Sequence, residues 1–365
     1  MKQKKLLIVV GTRPNFIKVT CFKDVAEKHP GLEVEIVHTG QHFDEKMAGV
    51  FFSQLNLQPD HFISLNGQSA VSQMGEIMIE MEKLLQEIRP NLLMVVGDVN
   101  STLAAAIVAN KMNIKLLHLE SGLRSFDDEM PEEWNRVLTD RLSKSLFVTE
   151  QSGVNNLLQE GKKAEDIYLV GNTMIDSLVK YSKTIEQSRI LKELGLDTKK
   201  FILMTIHRPA TVDTKEGLEM LLTVLQSFPE EFTTVFPIHP RTKKQIHAFG
   251  LSEAFFKLHN VKWVDPLDYF SFQKLISSCF VVITDSGGIQ EEATYRQVPC
   301  LTLRKNTERP STIELGTNTL VPFHDKTIRE WLDSIAGGTY KKGTIPPLWD
   351  GKATERILSI IAQKC

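Results

Sequence analysis

Short apolar runs alternate with amphipathic segments along most of the chain, and nearly every apolar run stops at a polar turn. The run LLIVV at 6–10 is followed by a segment at 14–28 whose apolar residues have helical spacing, and this order recurs through both halves of the chain. Strands that alternate with helices predict a parallel sheet covered on both faces. The expected fold class is therefore α/β.

The pattern predicts two series of elements. In the first, strands are expected at 6–10, 32–40, 92–98, 115–120, 145–150 and 166–171, with helices at 14–28, 44–57, 69–88, 101–112, from 131 and at 153–160. In the second, strands are expected at 201–207, 233–240, 280–288 and 300–304, with helices at 173–191, 216–228, 243–250, 272–279, 288–296 and 353–364.

The boundary between the two series is placed at Gly171, and the chain of 365 residues is long enough for two domains of ordinary size. We therefore predict an N-terminal Rossmann-like domain over 1–170 and a C-terminal Rossmann-like domain over 171–351. The last helix, about 352–365, is amphipathic and could dock on either domain. We expect it to pack back on the first.

Composition narrows the class of protein. The chain carries 43 basic and 45 acidic residues, a formal net charge of -2, which gives no reason to expect nucleic acid or an anionic membrane as a partner. No apolar run approaches the roughly 20 residues of a membrane span, and the first run is too short for a signal sequence. Four cysteines lie far apart without a CxxC pair, which favours reduced thiols in a cytoplasmic protein over a disulfide frame or a zinc site.

Candidate chemistry gathers where the predicted strands end. Apolar runs stop at Gly11, at Asp98, at Glu120 and at Asp285. In an open parallel sheet, ligands bind just beyond the carboxyl ends of the strands. We therefore expect these positions, although distant in the chain, to line one cleft.

The segment GTRPNFIK at 11–18 combines a tight turn with the start of a helix. Gly11 permits close approach of the backbone, and the free N–H groups at the helix start attract anions. Arg13 and Lys18 add full charges and favour an anion site, although a capped helix with solvated side chains explains the same residues about equally well. The segment is not the GxGxxG fingerprint, which disfavours a dinucleotide cofactor.

Three carboxylates are candidates for acid–base chemistry. Asp98 and Glu120 each end an apolar strand, and carboxylates that share a cleft raise one another's pKa toward neutral pH. Asp98 could instead cap the following helix. Glu132 stands in PEEWNR four residues before Arg136, a spacing that also fits an ordinary helical ion pair.

Histidines beside arginines favour a polyanionic ligand in the second half. His207-Arg208 and His239 each follow an apolar strand, and Arg309 follows a later one. A single histidine is more often structural than catalytic, so the argument depends on their number and position. No HExxH or comparable spacing supports a metal site.

The strongest local signal is DSGGIQEE at 285–292. Ser286, Gly287 and Gly288 join a strand to a helix, and backbone N–H groups at such a turn can hold a diphosphate. Glu292 lies one turn into the helix, where its carboxylate can accept hydrogen bonds from ribose hydroxyls. A merely tight strand-to-helix turn is the alternative.

Over nearly the whole chain, these motifs together resemble those of the non-hydrolysing UDP-N-acetylglucosamine 2-epimerases. They occur in the family's order: GTRP with Lys18, HTGQH at 38–42, GD at 97–98, HLESGLRS at 118–125, PEEWNR at 131–136, HR at 207–208, HPR at 239–241, DSGGIQEEA at 285–293 and TERP at 307–310. The resemblance implies two Rossmann-like doubly wound domains of the GT-B type, with the active site in the interdomain cleft and UDP on the C-terminal domain.

The resemblance also implies reversible C2 epimerisation of UDP-GlcNAc to UDP-ManNAc without a metal or other cofactor, for surface-polysaccharide precursors. UDP leaves by anti elimination as the C2 proton is removed, and adds back to the 2-acetamidoglucal after the proton returns to the opposite face. The catalytic residues implied are Asp98, Glu120, Glu132 and His207. The substrate-binding residues are Arg13, Lys18, Arg136, His239, Phe272, Ser286, Gly287, Gly288, Glu292 and Arg309. A homodimer is expected.

Some positions depart from the family pattern. Asn15 stands where Glu usually follows GTRP. The segments HTGQHFD at 38–44 and FFSQL at 51–55 are similar to a branch that acts on UDP-2,3-diacetamido-2,3-dideoxy-glucuronic acid, which is the alternative substrate. A hydrolysing epimerase and a GT-B glycosyltransferase are further alternatives.

Allosteric activation is a separate question. Some bacterial members bind a second UDP-GlcNAc as an activator through a pair of Gln residues and an Arg. Gln41 and Arg208 match that pattern, but Asp44 and Gly67 stand where the second Gln and the Arg would be expected, so the pattern is incomplete in this chain.

Overall fold

The computed structural model describes residues 4–41 and 54–364. The chain divides into two compact units. Unit 1 runs to Lys180 and resumes at Pro347, and unit 2 comprises Tyr181–Pro346. Each unit contains one parallel β-sheet, so the predicted α/β fold with two such sheets is confirmed.

The elements alternate as expected for a doubly wound fold. Those of unit 1 are β1 (Lys4–Val10), α1 (Arg13–Val19), α2 (Phe22–Ala26), β2 (Leu32–His38), β3 (His61–Phe62), α3 (Ala70–Ile88), β4 (Leu92–Val96), α4 (Asn100–Lys111), β5 (Lys115–Ser121), α5 (Pro131–Leu142), β6 (Ser145–Val148), α6 (Gln151–Gln159), β7 (Ile167–Leu169) and α7 (Thr173–Lys180).

Unit 2 continues the alternation, and the chain then returns to unit 1 with its last helix. The elements are α8 (Ser182–Glu186), α9 (Ile190–Glu193), β8 (Phe201–Thr205), α10 (Pro209–Val212), α11 (Lys215–Gln226), β9 (Thr233–Pro237), α12 (Pro240–Ala248), α13 (Ser252–Phe256), β10 (Val261–Val264), α14 (Tyr269–Ser278), β11 (Val281–Thr284), α15 (Gly287–Tyr295), β12 (Cys300–Thr302), α16 (Pro310–Glu314), β13 (Asn318–Leu320), α17 (Asp325–Ala336) and α18 (Ala353–Lys364).

Strand order places a topological switch point in each sheet. The order is β3-β2-β1-β4-β5-β6-β7 in unit 1 and β10-β9-β8-β11-β12-β13 in unit 2. The order reverses between β1 and β4 in the first sheet and between β8 and β11 in the second. Doubly wound sheets bind ligands beyond the carboxyl ends of the strands at this reversal. The predicted motifs GTRP and GD follow β1 and β4, and HR and DSGG follow β8 and β11.

The central strands are apolar because helices cover both of their faces. Every residue of β4 is buried, as are the last five residues of β1. In α3, the buried residues Ile77, Met81 and Leu85 recur at four-residue spacing and join the core cluster that contains residues of β1 and β4. Strand ends, by contrast, are free to carry polar groups.

The helix predicted at 14–28 is in fact two helices, α1 and α2. The Thr20 hydroxyl donates to the carbonyl of Phe16 at 2.7 Å, and Lys180 of α7 donates to the carbonyl of Thr20 at 3.2 Å. The Ser177 hydroxyl donates to the carbonyl of Ile17. Side-chain donors thus bond to backbone carbonyls that would accept from backbone N–H groups in a continuous helix.

Other expectations differ in detail. The helix predicted at 173–191 is divided into α7, α8 and α9. The sequence did not predict the strands β3, β10 and β13 or the helices α10, α13, α16 and α17. The helix predicted at 44–57 lies outside the described residues, except for its last four positions.

The last helix and α7 are held together within unit 1. Asp176 of α7 accepts hydrogen bonds from the backbone N–H groups of Ala353 and Thr354, at 3.1 and 2.6 Å, and so caps the start of α18. Because α7 also bonds to α1, the division between the units falls after Lys180 and not at Gly171. Within residues 4–41 and 54–364, no helix is long and apolar enough to cross a membrane.

Candidate active site

Lys18 and Glu120 form an ion pair at the switch point of unit 1. Lys18 lies in the second turn of α1, Glu120 lies near the end of β5, and their side chains are only 9% and 7% exposed. The ammonium group donates to Oε2 of the carboxylate. An unpaired buried charge costs several kcal/mol, so each partner depends on the other.

Gly97 leaves the space in which this pair meets. Strand β4 lies between β1 and β5. A Cβ at residue 97 would lie 3.1 Å from Oε2 of Glu120 and 3.5 Å from Nζ of Lys18. Both Gly97 and Glu120 have positive φ, 65° and 70°, and the pairing of β5 with β6 shifts register between Leu119 and Ser121. The strand end is therefore bent into an unusual conformation that directs the Glu120 side chain over β4.

Asp98 is held by Arg136 of α5. The Arg136 Nε atom donates to Oδ2 of Asp98 at 3.0 Å, and the Asp98 side chain is 29% exposed. On its other side the buried guanidinium bonds to Glu133. The Glu133 carboxylate also accepts bonds from the backbone N–H of Ser125 at 2.9 Å and from the Ser125 hydroxyl at 2.7 Å. One helix thereby fixes the ends of both β4 and β5.

Glu132 has a different environment from Glu133. The Glu132 side chain is exposed, whereas Glu133 is buried and forms the ion pair with Arg136. The four-residue spacing of Glu132 and Arg136 had suggested an ion pair between those two, and the structure gives the pair at three-residue spacing. Glu132 is thus a carboxylate at the surface of α5.

A second arrangement of buried charges lies beneath these residues. His118 of β5 is fully buried, with Nδ1 2.6 Å from Oδ1 of Asp140 and Nε2 2.8 Å from the carbonyl oxygen of Gly97. Asp140 Oδ2 accepts a hydrogen bond from the N–H of Gly122 at 3.0 Å and lies 2.8 Å from Arg124. Burial alone would raise the pKa of Asp140, but attraction to His118 and Arg124 lowers it overall.

Asn15 organises the loop that follows β1. Its side-chain oxygen accepts bonds from the N–H groups of Gly11 and Thr12, both at 3.2 Å, and its amide nitrogen donates to the carbonyl of Val96 at 3.3 Å. An amide can donate and accept at once, whereas the usual Glu of the family would be acceptor-only when ionised. The departure at this position therefore has a structural role, which is to join the ends of β1 and β4.

Arg13 and Gln41 lie near the same loop. Arg13 is half-buried at the first residue of α1, and burial lowers the pKa of its guanidinium. The Gln41 side-chain oxygen accepts bonds from the backbone N–H and hydroxyl of Ser101, at 2.9 and 2.6 Å, and so occupies the start of α4. Asp44, which stands where the second Gln of the activator-binding pattern is expected, lies outside the described residues.

In unit 2, Asp285 joins the ends of β8 and β11. Its buried carboxylate accepts bonds from the N–H groups of His207 and Arg208 at 2.9 and 2.8 Å, and lies 3.0 Å from His207 Nδ1. Burial would raise the pKa of Asp285, but these bonds and the attraction to His207 lower it. The His207 ring is held 5.6 Å from that of His239. Burial, His207 and Arg241 lower the pKa of His239.

A cavity of about 170 Å³ opens beside these two histidines. It is lined by Thr205, Ile206, His207, Pro237, His239, Pro266, Leu267 and Phe272. Its walls are mainly apolar, with two imidazoles and one hydroxyl, and such a cavity suits a flat heterocycle. Phe272, the predicted aromatic residue, therefore lies in the same cavity as the predicted His207.

The SGG turn opens α15 next to Arg309. Ser286 is the N-cap residue, and a Cβ at Gly287 would lie 2.8 Å from Nη1 of Arg309. Arg309 is buried, with Nε 3.0 Å from Oε2 of Glu291 and Nη1 bonded to Glu308. The absence of a side chain at residue 287 thus lets the Arg309 guanidinium lie against the turn, together with the Glu308 carboxylate, whose Oε1 is also 2.8 Å from that Cβ position. The N–H groups at the helix start favour an anion there. Gly288 follows as the second residue of α15.

Glu292 is buried one turn into α15. Burial raises its pKa to about 7, although attraction to Arg296 opposes the shift. Arg296 in turn donates to the side-chain oxygen of Gln273 at 3.1 Å. A carboxyl group in this state can change its protonation near neutral pH.

The sequence analysis did not identify Glu133, Asp140 or His118 as residues that support the site. A signal was present, because Glu133, Arg136 and Asp140 are spaced by three and four residues and so share one helix face. In the described part of the chain, no group of three or more His, Cys, Asp or Glu residues could hold a metal ion.

Comparisons with known proteins identify the family. The family model described as UDP-N-acetylglucosamine 2-epimerase matches residues 24–362. A UDP-N-acetylglucosamine 2-epimerase of Methanococcus maripaludis is 37% identical over 98% of both chains. A UDP-2,3-diacetamido-2,3-dideoxy-D-glucuronate 2-epimerase of Pseudomonas aeruginosa is also 37% identical, over 98% of this chain and 99% of its own.

A solved structure extends the likeness to three dimensions. The crystal structure of the Methanocaldococcus jannaschii UDP-GlcNAc 2-epimerase, in complex with UDP-GlcNAc and UDP, matches with a TM-score of 0.89 and 38% identity. The match covers 98% of this chain and 99% of that one. The family model spans nearly the whole sequence, and the motifs lie at both switch points as the doubly wound fold requires. This chain belongs to the UDP-N-acetylglucosamine 2-epimerase family.

Proposed function

We propose that this protein interconverts UDP-N-acetylglucosamine and UDP-N-acetylmannosamine by reversible epimerisation at C2. The observation that carries the proposal is the buried Lys18–Glu120 pair beside Asp98 at the switch point of unit 1, in a chain of this family. A fixed cation favours the ionised form of a neighbouring carboxylate, and an ionised carboxylate can accept a proton from a substrate carbon.

The proposed reaction balances without an added reagent. A carboxylate takes the C2 proton, the C2–H electrons form the C1=C2 double bond, and the C1–O electrons leave with the β-phosphate of UDP. A second acid on the opposite face, whose proton exchanges with solvent, then protonates C2, and the UDP oxygen adds back to C1, so that C2 loses one proton and gains another. Bond cleavage at C1 makes that centre cationic, which acidifies the C2 proton.

We assign the proton transfers to the carboxylates of unit 1. The candidates are Asp98, Glu120 and Glu132. Lys18 forms an ion pair with Glu120, and Arg136 forms one with Asp98. Glu132 is the candidate whose side chain is exposed and hence accessible to a ligand.

We assign the UDP group to unit 2. The cavity beside Phe272 has room for a pyrimidine, and the SGG turn and Arg309 provide N–H donors and charge for the diphosphate. His207 and Arg13 are proposed to stabilise the negative charge that grows on the diphosphate as the C1–O bond breaks. Glu292 is proposed to bind the ribose hydroxyls.

Exchange of the C2 proton with solvent tests the proposal. UDP-N-acetylglucosamine is incubated with the protein in heavy water and followed by NMR. We expect deuterium at C2 and a growing fraction of the manno epimer, without accumulation of UDP. Release of free N-acetylmannosamine and UDP would indicate a hydrolysing enzyme, and transfer of the sugar to an acceptor without exchange would indicate a glycosyltransferase.

The same chemistry on UDP-2,3-diacetamido-2,3-dideoxy-glucuronic acid is the second candidate. It is favoured by the Pseudomonas aeruginosa relative, which is as similar in identity as the Methanococcus maripaludis epimerase. Parallel incubations with the two nucleotide sugars, compared by kcat/KM, decide between them. Absence of exchange with both would contradict the proposed function.

A homodimer, a cytoplasmic location and an active site between the two domains remain predictions of the family resemblance. Sedimentation equilibrium of the purified chain would test the first, since a monomer mass of 41.3 kDa is known. Fractionation of cells that express it would test the second, and a crystal structure with bound UDP-sugar would test the third.

A further inference from the structure

Four charged side chains alternate in sign beneath the end of β4. They run from Glu160 at the surface through Arg124 and Asp140 to His118, and the last three are almost completely buried. The Arg124 guanidinium donates to both Glu160 oxygens at 2.8 Å and lies 2.8 Å from Asp140 Oδ2. The row ends at the carbonyl oxygen of Gly97, 2.8 Å from His118 Nε2.

Hydrogen-bond chemistry determines the protonation of the His118 ring. The Gly97 carbonyl can only accept, so Nε2 carries a proton. Asp140 already accepts from the N–H of Gly122 and faces the Arg124 guanidinium, which are partners for an ionised carboxylate. An ionised carboxylate also only accepts, so Nδ1, at 2.6 Å, carries a second proton.

Each member of the row faces a partner that suits an ionised Asp140. Glu160 pairs with Arg124, Arg124 pairs with Asp140, and Asp140 lies against His118. No other role in the proposed mechanism uses these four side chains.

We propose that His118 is a buried imidazolium that acts as a positioning residue, holding the Gly97–Asp98 turn where Asp98 and Glu120 can work. Two hydrogen bonds join the ends of β4 and β5: the Gly97 N–H donates to the Leu119 carbonyl at 2.9 Å, and His118 donates to the Gly97 carbonyl. The second bond is charge-assisted and therefore the stronger.

The consequence for the site follows from the position of Gly97. A Cβ on Gly97 would lie 3.1 Å from the Glu120 carboxylate and 3.5 Å from the Lys18 ammonium, and Asp98 is the next residue. A shift of the turn would displace Asp98 and close the space in which Lys18 meets Glu120. A misplacement of about 1 Å in an active site can cost on the order of 100-fold in rate.

NMR of the wild-type protein tests the protonation state. With ¹⁵N-labelled histidine near neutral pH, we expect the His118 ring to show a proton on each nitrogen, with both protons slow to exchange because the ring is buried. The His118→Gln variant assigns the signal. A ring with one bare nitrogen would overturn the proposal. This measurement is independent of enzymatic activity, so it stands even if the proposed function fails.

Two substitutions test the positioning role, which rests on the proposed function. The side-chain nitrogen of Gln can replace Nε2 as the donor to Gly97, whereas that of Asn replaces Nδ1 as the donor to Asp140. We expect His118→Gln to retain kcat for C2 exchange within about tenfold and His118→Asn to lose roughly 100-fold, with little change in KM or in UDP affinity.

A purely structural role predicts a different pattern. In that case both variants would lose thermal stability, whereas kcat per folded molecule would be unchanged or would fall equally in the two, without rescue by Gln. That result would overturn the positioning role. Wild-type exchange is measured first, so that absence of exchange in the wild type is assigned to the proposed function and not to His118.

Discussion

Gly97 and Glu120 meet where two neighbouring strands of unit 1 end, and a Cβ on Gly97 would lie 3.1 Å from the carboxylate oxygen Oε2 of Glu120. The absence of that one carbon lets Lys18, which follows β1, reach Glu120 across β4. A missing side chain therefore contributes to the proposed catalytic pair as directly as the two charged ones.

The Gly97→Ala variant should lose activity beyond what its stability explains. Its Cβ would press on Glu120 and Lys18, so we expect the rate of C2 deuterium exchange to fall at least tenfold. Gly161→Ala is the matched control, because Gly161 also has a positive φ, 81°, but a Cβ there would meet nothing within 4 Å. Both variants should lose about 1 kcal/mol of stability from backbone strain, measured by urea unfolding. Equal activity in the two would contradict the role of Gly97.

Separation of the Lys18–Glu120 pair should affect both stability and rate. Lys18→Met leaves a buried carboxylate without its cation and is expected to cost about 3–5 kcal/mol in urea unfolding. Glu120→Gln should lower C2 exchange by roughly 100-fold or more, as loss of an acid–base group does. The control is the pair Lys215–Glu219, whose side chains are 54% and 52% exposed. Lys215→Met and Glu219→Gln should change neither quantity appreciably.

Glu132 and Glu133 are adjacent in sequence but should respond differently to substitution. Glu133→Gln weakens the contacts to Arg136 and Ser125, so activity should fall. The free energy of unfolding should fall by about 2 kcal/mol, because hydrogen bonds to a buried charged group are weakened. Glu132→Gln should leave the melting temperature within error, because the side chain is exposed, yet reduce C2 exchange. Differential scanning calorimetry and the heavy-water assay on the same samples make the comparison. Full activity in Glu132→Gln would remove Glu132 from the proposed mechanism.

Glu292 should make stability depend on pH in a defined window. Burial raises its pKa from 4.5 to about 7, so between those values the folded chain keeps a proton that the unfolded chain has lost. The contribution of this group to the free energy of unfolding therefore decreases as pH rises from 4.5 toward 7, by at most about 1 kcal/mol per pH unit, and is constant outside the window.

Urea unfolding of the wild type and Glu292→Gln across this window measures the effect. Gln has nearly the same volume and does not titrate, so the difference in unfolding free energy between the two proteins should shift in favour of Glu292→Gln as the pH rises. A difference that is independent of pH would show that the native carboxyl group ionises normally.

The alternation of strands and helices, and the strand ends that carry Asp98, Glu120 and Asp285, could be predicted from the sequence. Both faces of these parallel strands are covered, so each strand is a continuous apolar run that must stop where the chain leaves the sheet. The doubly wound topology then places such ends at the binding edge of each sheet. Local signals of this kind also predicted α3 and α4, but they did not reveal the break at Thr20, which depends on Ser177 and Lys180 of a distant helix.

By itself the sequence determined which residue types stand at the strand ends, and with them the family and the class of chemistry. Only the tertiary structure decided which of them pair. Helical spacing allows Arg136 to pair with Glu132 or Glu133, and the side of α5 that is buried selects Glu133. Lys18, on the helix after β1, meets Glu120 of β5 across β4, because the residue that follows β4 is Gly97 and has no side chain to fill the space. Such choices depend on how helices are rotated against the sheet and on which groups are removed from water, and a local pattern contains neither.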